Sequence, residues 1–151
     1  MDPLAAIGVA GNIITFIDFS YKIFKGIDEV LTTATGMTQA NENLSHLAKD
    51  FRSVTEDLVS DIIPRTENEK QLCHLATECR TLASRIIQVL ESLKLGDDKS
   101  AWQGMKVKFQ SKKKEKEVES LERQLKGYQS ELLIHLQVMF RYLRATKSVG
   151  L

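Results

Sequence analysis

Apolar side chains recur along this chain in four long segments, and three of them carry the three-and-four spacing of an amphipathic helix. The first segment differs from the rest. From Leu4 to Ile17 it holds no charged residue, and it stays apolar on every side until Asp18 before continuing through Phe19, Ile23 and Phe24. Asp2 is placed to cap it, with Pro3 at the first helical position. A surface helix of a soluble bundle carries only an apolar stripe. This one is therefore either deeply buried by its neighbours or held partly open for another partner. Gly26 is expected to loosen or break the helix before Ile27, Val30 and Leu31, and Gly36 to terminate it.

The second helix is expected to start near Thr38, with Leu44, Leu47, Phe51, Val54, Leu58 and Ile62 on one face and Pro64 as its stop. Thr66 and Glu69 have capping-box spacing and announce a third helix. Its seam is Leu72, Leu75, Cys79, Leu82, Ile86, Val89 and Leu93, and Lys94 and Gly96 mark its end. Residues 101–111, with Trp102, Met105, Val107 and Phe109, read as a short helix or irregular connector. The last long helix begins within a lysine cluster and runs to about Lys147, on a seam of Val118, Leu121, Leu125, Tyr128, Leu132, Leu136, Met139 and Leu143.

Four such elements bury their apolar faces most simply against one another. The predicted fold is all-α, a single domain over residues 1–151: a four-helix bundle with a highly apolar N-terminal helix and a short helix or connector before the last long one. A coiled-coil dimer is the rival, because the final helix sustains several heptads, but the broad apolar faces of the second and third helices favour an intramolecular bundle.

Charge adds a local feature rather than a global one. The net charge is +1, from 21 Lys and Arg against 20 Asp and Glu, which gives no whole-chain argument for nucleic acid. Residues 106–117, however, hold six lysines (Lys106, Lys108, Lys112, Lys113, Lys114 and Lys116) against two glutamates. Such a run is either a solvated helix start or a surface for anionic lipid, with Trp102 and Phe109 able to anchor at headgroup level. Nucleic acid is not an expected partner, because one short lysine run with no recognition fold is nonspecific.

Enzymatic chemistry finds little support. There is no phosphate-binding glycine loop. His46, His74 and His135 fall on three different helices without metal spacing, and no cofactor is implied. Cys73 and Cys79, six residues apart on one helix, point to different faces and read as structural thiols. Gly8 and Gly11 serve either close helix packing or close association within a membrane. Fourteen uncharged residues span only about 21 Å as helix, short of the roughly 30 Å hydrocarbon core. Extension to Phe24 supplies the length but brings Asp18 and Lys22 with it, so a permanent transmembrane helix is not expected. A conditionally inserting one is left open.

The opening M-D-P-L-A-A-I-G-V-A-G-N-I-I-T-F-I-D-F resembles the N-terminal HeLo-like domains of fungal NOD-like receptors and related STAND proteins. The stretch W-Q-G-M-K-V-K-F-Q-S-K-K-K-E-K-E-V-E-S-L-E-R-Q-L-K-G-Y-Q-S-E-L-L is similar to the same family's third-to-fourth-helix region. Such domains are related to HeLo domains and to the four-helix executioner domain of the mixed-lineage kinase-like pseudokinase.

The resemblance implies a role in regulated or heterokaryon-incompatibility cell death, by targeting and permeabilising membranes after oligomerisation. It also implies a NACHT or NB-ARC sensor in cis, or a related helical domain in trans. The protein is expected to be cytoplasmic at rest and at the plasma membrane or another cell membrane once active. Carried onto this sequence, the membrane-active element comprises Leu4, Ile7, Gly8, Val9, Gly11, Ile13, Ile14, Phe16, Ile17 and Phe19. Contact of the six lysines with anionic lipid is a separate expectation from charge. The rival function is a non-lytic adaptor that recruits another protein through an apolar or heptad face.

Overall fold

The computed structural model describes residues 3–32, 37–58, 63–94 and 105–148, with the backbone alone for 3, 32, 37, 38, 40, 94, 105–111 and 146–148. Gly36, Ile62, Gly96 and Trp102 lie outside them. Four helices follow in order: α1 (Pro3–Thr32), α2 (Met37–Glu56), α3 (Glu67–Lys94) and α4 (Met105–Ser148). The expected four-helix bundle is present, and no strand occurs among the described residues.

Contacts between named side chains fix the topology. Phe16 of α1 faces Phe51 of α2 at a centroid distance of 5.7 Å, and Asn12 donates to the carbonyl of Asp57, so α1 and α2 run antiparallel. Tyr21 donates to Gln129 at 3.1 Å, and Ala6 shares a cavity with Met139 and Tyr142, so α1 and α4 are antiparallel too. Asn68 meets His135, and Arg85 meets Gln124. The bundle is therefore up-down-up-down. α1 touches all three other helices, while α2 and α4 do not meet among the described residues.

The seams read from the sequence form this core. Leu44, Phe51 and Leu58 are buried from the second segment, Leu72 through Val89 from the third, and Val118, Leu121, Leu125, Leu132 and Met139 from the fourth. α4 spends its heptad face on α1 and α3, so the seam that raised a coiled-coil alternative is already occupied within one chain.

Helix ends show where sequence signals hold and where packing overrides them. The capping box closes as spaced: Thr66 N and Arg65 N donate to Glu69 Oε2 at 2.9 and 2.8 Å, and Glu69 N donates to Thr66 Oγ1 at 3.1 Å. α2 ends at Glu56 and tightens through a last turn at Leu58, ahead of Pro64. Gly26, by contrast, does not break α1. Ile23, Phe24, Ile27 and Val30 bury continuously on either side of it, and burial outweighs the roughly 1 kcal/mol helix penalty of a single glycine. A Cβ at Gly26 would stand 3.1 Å from the Leu44 side chain, so this glycine admits α2 closely.

Candidate functional site

α1 turns one side into the core and leaves another open. Ala6, Val9, Ala10, Ile13, Phe16, Ile17, Ser20, Ile23, Phe24, Ile27 and Val30 are buried. Opposite them lies an exposed face of Leu4, Ile7, Gly8, Gly11, Ile14, Asp18 and Lys22. Its first turns are apolar, with Leu4 79%, Ile7 44% and Ile14 42% exposed. Its later turns are charged. The segment expected to act as one membrane element is thus divided. Leu4, Ile7, Gly8, Gly11 and Ile14 face outward, Val9, Ile13, Phe16 and Ile17 are core, and Phe19 is half-buried.

Among the described residues nothing approaches Gly8 or Gly11 within 4 Å of where a Cβ would sit. Neither glycine serves packing inside the bundle, in contrast with Gly26. Hydroxyls in the helix are satisfied within it: Ser20 donates to the carbonyl of Phe16 at 2.7 Å and Thr15 to that of Gly11 at 3.0 Å. By length and composition, Leu4–Leu31 is able to cross a membrane, as is the core helix of many soluble proteins.

α4 has exposed apolar side chains of its own. Leu133, Ile134, Val138, Phe140 and Tyr142 are exposed. The Tyr21–Gln129 pair sets Ile14 level with residue 136, between Leu133 and Phe140, which lie on the α1 side of α4 by helical spacing. These α4 residues were missed by the seam analysis. Their signal was present, since residues 132–143 are apolar on several faces at once, as the first helix is.

The lysines lie elsewhere. Lys112, Lys113 and Lys116 are exposed, and Lys114 is half-buried with its ammonium 3.6 Å from Glu117. Lys106 and Lys108 belong to the first turns of α4, and their side chains are outside the described residues. The antiparallel register puts Lys112 about 36 Å along the bundle axis from the level of Ile14. The structure does not bring the basic segment and the open apolar face into one site.

Other polar candidates are structural. His74 and Glu78 form an exposed i,i+4 pair at 3.0 Å. His135 is buried, with Nδ1 at 2.9 Å from Asn68 Oδ1. Among the described residues no group of three or more His, Cys, Asp or Glu side chains is placed to hold a metal ion. Cys73 and Cys79 are both free thiols, and burial, followed by the nearby Glu78 and Glu131 carboxylates, pushes the Cys79 thiol up to about 12.

A four-helix bundle with an apolar first helix is the arrangement expected of a HeLo-like domain. Residues 10–132 match the SesA family, described as the N-terminal domain on NACHT NTPases and P-loop NTPases. The chain belongs to the SesA family. No curated protein matches it, and no solved structure does. The family match links this SesA domain to NACHT and P-loop NTPase proteins.

Proposed function

We propose that this SesA domain is a membrane-targeting, permeabilising effector of regulated cell death in fungal innate immunity. It is cytoplasmic at rest and moves to the plasma membrane or another cell membrane when oligomerisation activates it. A NACHT or NB-ARC sensor, in cis or through a related helical domain in trans, supplies the clustering. The observation that carries this reading is the open apolar face of α1, where Leu4, Ile7 and Ile14 are exposed. An uncovered face of that kind marks a surface meant for lipid or protein. The lysines at the far end of the bundle attract anionic headgroups, by about 1 kcal/mol each when close to the surface. Asp18 opposes insertion of a lone helix, at about 2.5–3.5 kcal/mol on insertion scales. Assembly around a wet interior removes that obstacle.

The same face supports a second reading, a non-lytic adaptor that docks another helical domain. Dye release from anionic and neutral vesicles separates the two. The decisive variant is Ile7→Gln with Ile14→Gln, because deletion of Leu4–Ile17 would also remove core residues Val9, Ile13 and Phe16. Cooperative release from anionic vesicles by the native chain, lost in the folded double variant, supports the effector. Absence of release and of vesicle flotation from well-folded native protein, with and without clustering by a fused oligomerising tag, leaves the adaptor.

A further inference from the structure

α4 is 44 residues long, whereas α1 has 30. With Tyr21 level with Gln129, the last residue of α1 stands level with Val118. On the side facing α1, residues 105–117 of α4 therefore run past their neighbour for about 20 Å. Where α1 stops, the two helices frame a groove of about 600 Å³. Its apolar lining is Phe24, Ile27, Leu31 and Val118; Glu115, Glu119 and Glu122 line it from α4, and Tyr21, Lys25 and Asp28 from α1, so that carboxylates outnumber the one lysine. The overhang is Lys-rich and carries Met105, Val107 and Phe109 in its sequence. One chain thus holds an acidic, apolar-floored groove and, next to it, a basic helical segment of matching composition.

The two are arranged so that they complement each other in a second copy. Turned about a two-fold axis between Glu115 and Lys116, two α4 helices lie antiparallel with residue i level with residue 231 − i. Lys112 of one copy then meets Glu119 of the other, and Lys116 meets Glu115. Lys108 falls at the level of Glu122 and Arg123. Lys112, Glu115, Lys116 and Glu119 are all exposed. In this antiparallel register each of the four side chains stands level with an opposite charge, whereas an in-register parallel pairing sets like against like. Each overhang is then laid along the groove of the other copy.

We infer that two copies of this chain pair through the N-terminal halves of α4 in an antiparallel, isologous contact, each overhang occupying the other's acidic groove. For its role in the cell this pairing rests on the assembly proposed above, but it is formed and tested without lipid. Lys112 and Lys116 are shared between the partner's glutamates and anionic headgroups, so pairing and lipid binding compete.

The test is a charge-swap cycle on the whole chain, read by sedimentation at low and high salt. One variant is Lys112→Glu with Lys116→Glu, and the other is Glu115→Lys with Glu119→Lys. Each is checked for helicity by circular dichroism. The native chain is expected to dimerise with a salt-sensitive constant. Each variant alone is expected to self-associate about tenfold more weakly or less well still. An equimolar mixture restores a dimer, because every reversed pair becomes attractive again. A native chain that stays monomeric at low salt, or a mixture no better than its components, overturns the pairing. Vesicle release that persists when dimerisation fails sinks only this contact. Dimerisation with intact rescue but no release sinks only the membrane reading.

Discussion

His135 of α4 and Asn68 of α3 are joined by a 2.9 Å bond between Nδ1 and the side-chain oxygen, and the opposite ring nitrogen, Nε2, is buried with no partner among the described residues. An amide oxygen only accepts, so Nδ1 is the donor in this bond. The pair ties the first turn of α3 to α4 near the open end of α1.

Removing either member has unequal effects. Asn68→Ala leaves a buried N–H unsatisfied and is expected to cost about 1–3 kcal/mol. His135→Leu removes both buried ring nitrogens and leaves Asn68, which is half-exposed, able to bond to water, so it is expected to be near neutral or stabilising. Urea unfolding of the two variants checks the order, and equal losses would contradict it.

Leu82 and Leu125 are fully buried on facing helices α3 and α4. Truncation of either to alanine removes transfer energy and leaves a cavity, for an expected loss of about 2–5 kcal/mol. Thermal or urea midpoints that barely move in both variants would mean that the core is placed wrongly.

Gly8 and Gly11 face open space inside α1. Gly8→Ala and Gly11→Ala should each raise stability by about 0.5–1 kcal/mol through helix propensity alone. On the effector reading, close helix approach in the assembled state uses these positions, so dye release should fall while stability rises. Stability and release moving together would remove the glycines from any assembly role.

The two thiols should differ in reactivity. Burial holds the Cys79 thiol near 12 and protonated at neutral pH, and a protonated, buried thiol is inert. Cys73 is half-buried. A maleimide at pH 7.5 is expected to label one site per native chain, and Cys73→Ser to abolish that labelling. Labelling retained in Cys73→Ser would show that the α3 core opens readily.

At the start of α3, backbone N–H groups of Thr66 and then Arg65 hold the Glu69 carboxyl below the ordinary glutamate range. A folded-state value below the unfolded one contributes stability above the unfolded value and loses it as pH falls through the folded one. Glu69→Ala should cost about 1 kcal/mol at neutral pH, and the gap to the native chain should close in acid. A gap independent of pH would place the effect in packing rather than in the cap.

Local signals were the legible part. Thr66 and Glu69 fixed a helix start because a capping box needs only four residues of chain, and the α3 and α4 seams followed from spacing alone. Gly26 misled because its local penalty is small beside the burial of Ile23 and Ile27 around it. Gly8 and Gly11 suggested close packing, which the fold instead places at Gly26. What spacing cannot carry is the relative level of two helices. The separation of Lys112 from Ile14, and the reach of α4 past Thr32, depend on the Tyr21–Gln129 register, which no single segment encodes.

α1 is the one helix that touches all the others, and α2 has its largest contact with it and its smallest with α3. Withdrawing α1 therefore cannot resemble the opening of a flap. It leaves α3 and α4 paired, holds α2 only by its small contact with α3, and exposes the lining that Phe16 and Phe51 had sealed. If the effector reading holds, a domain that releases α1 gives up the core that would re-form it. Each copy then acts once and is not reset.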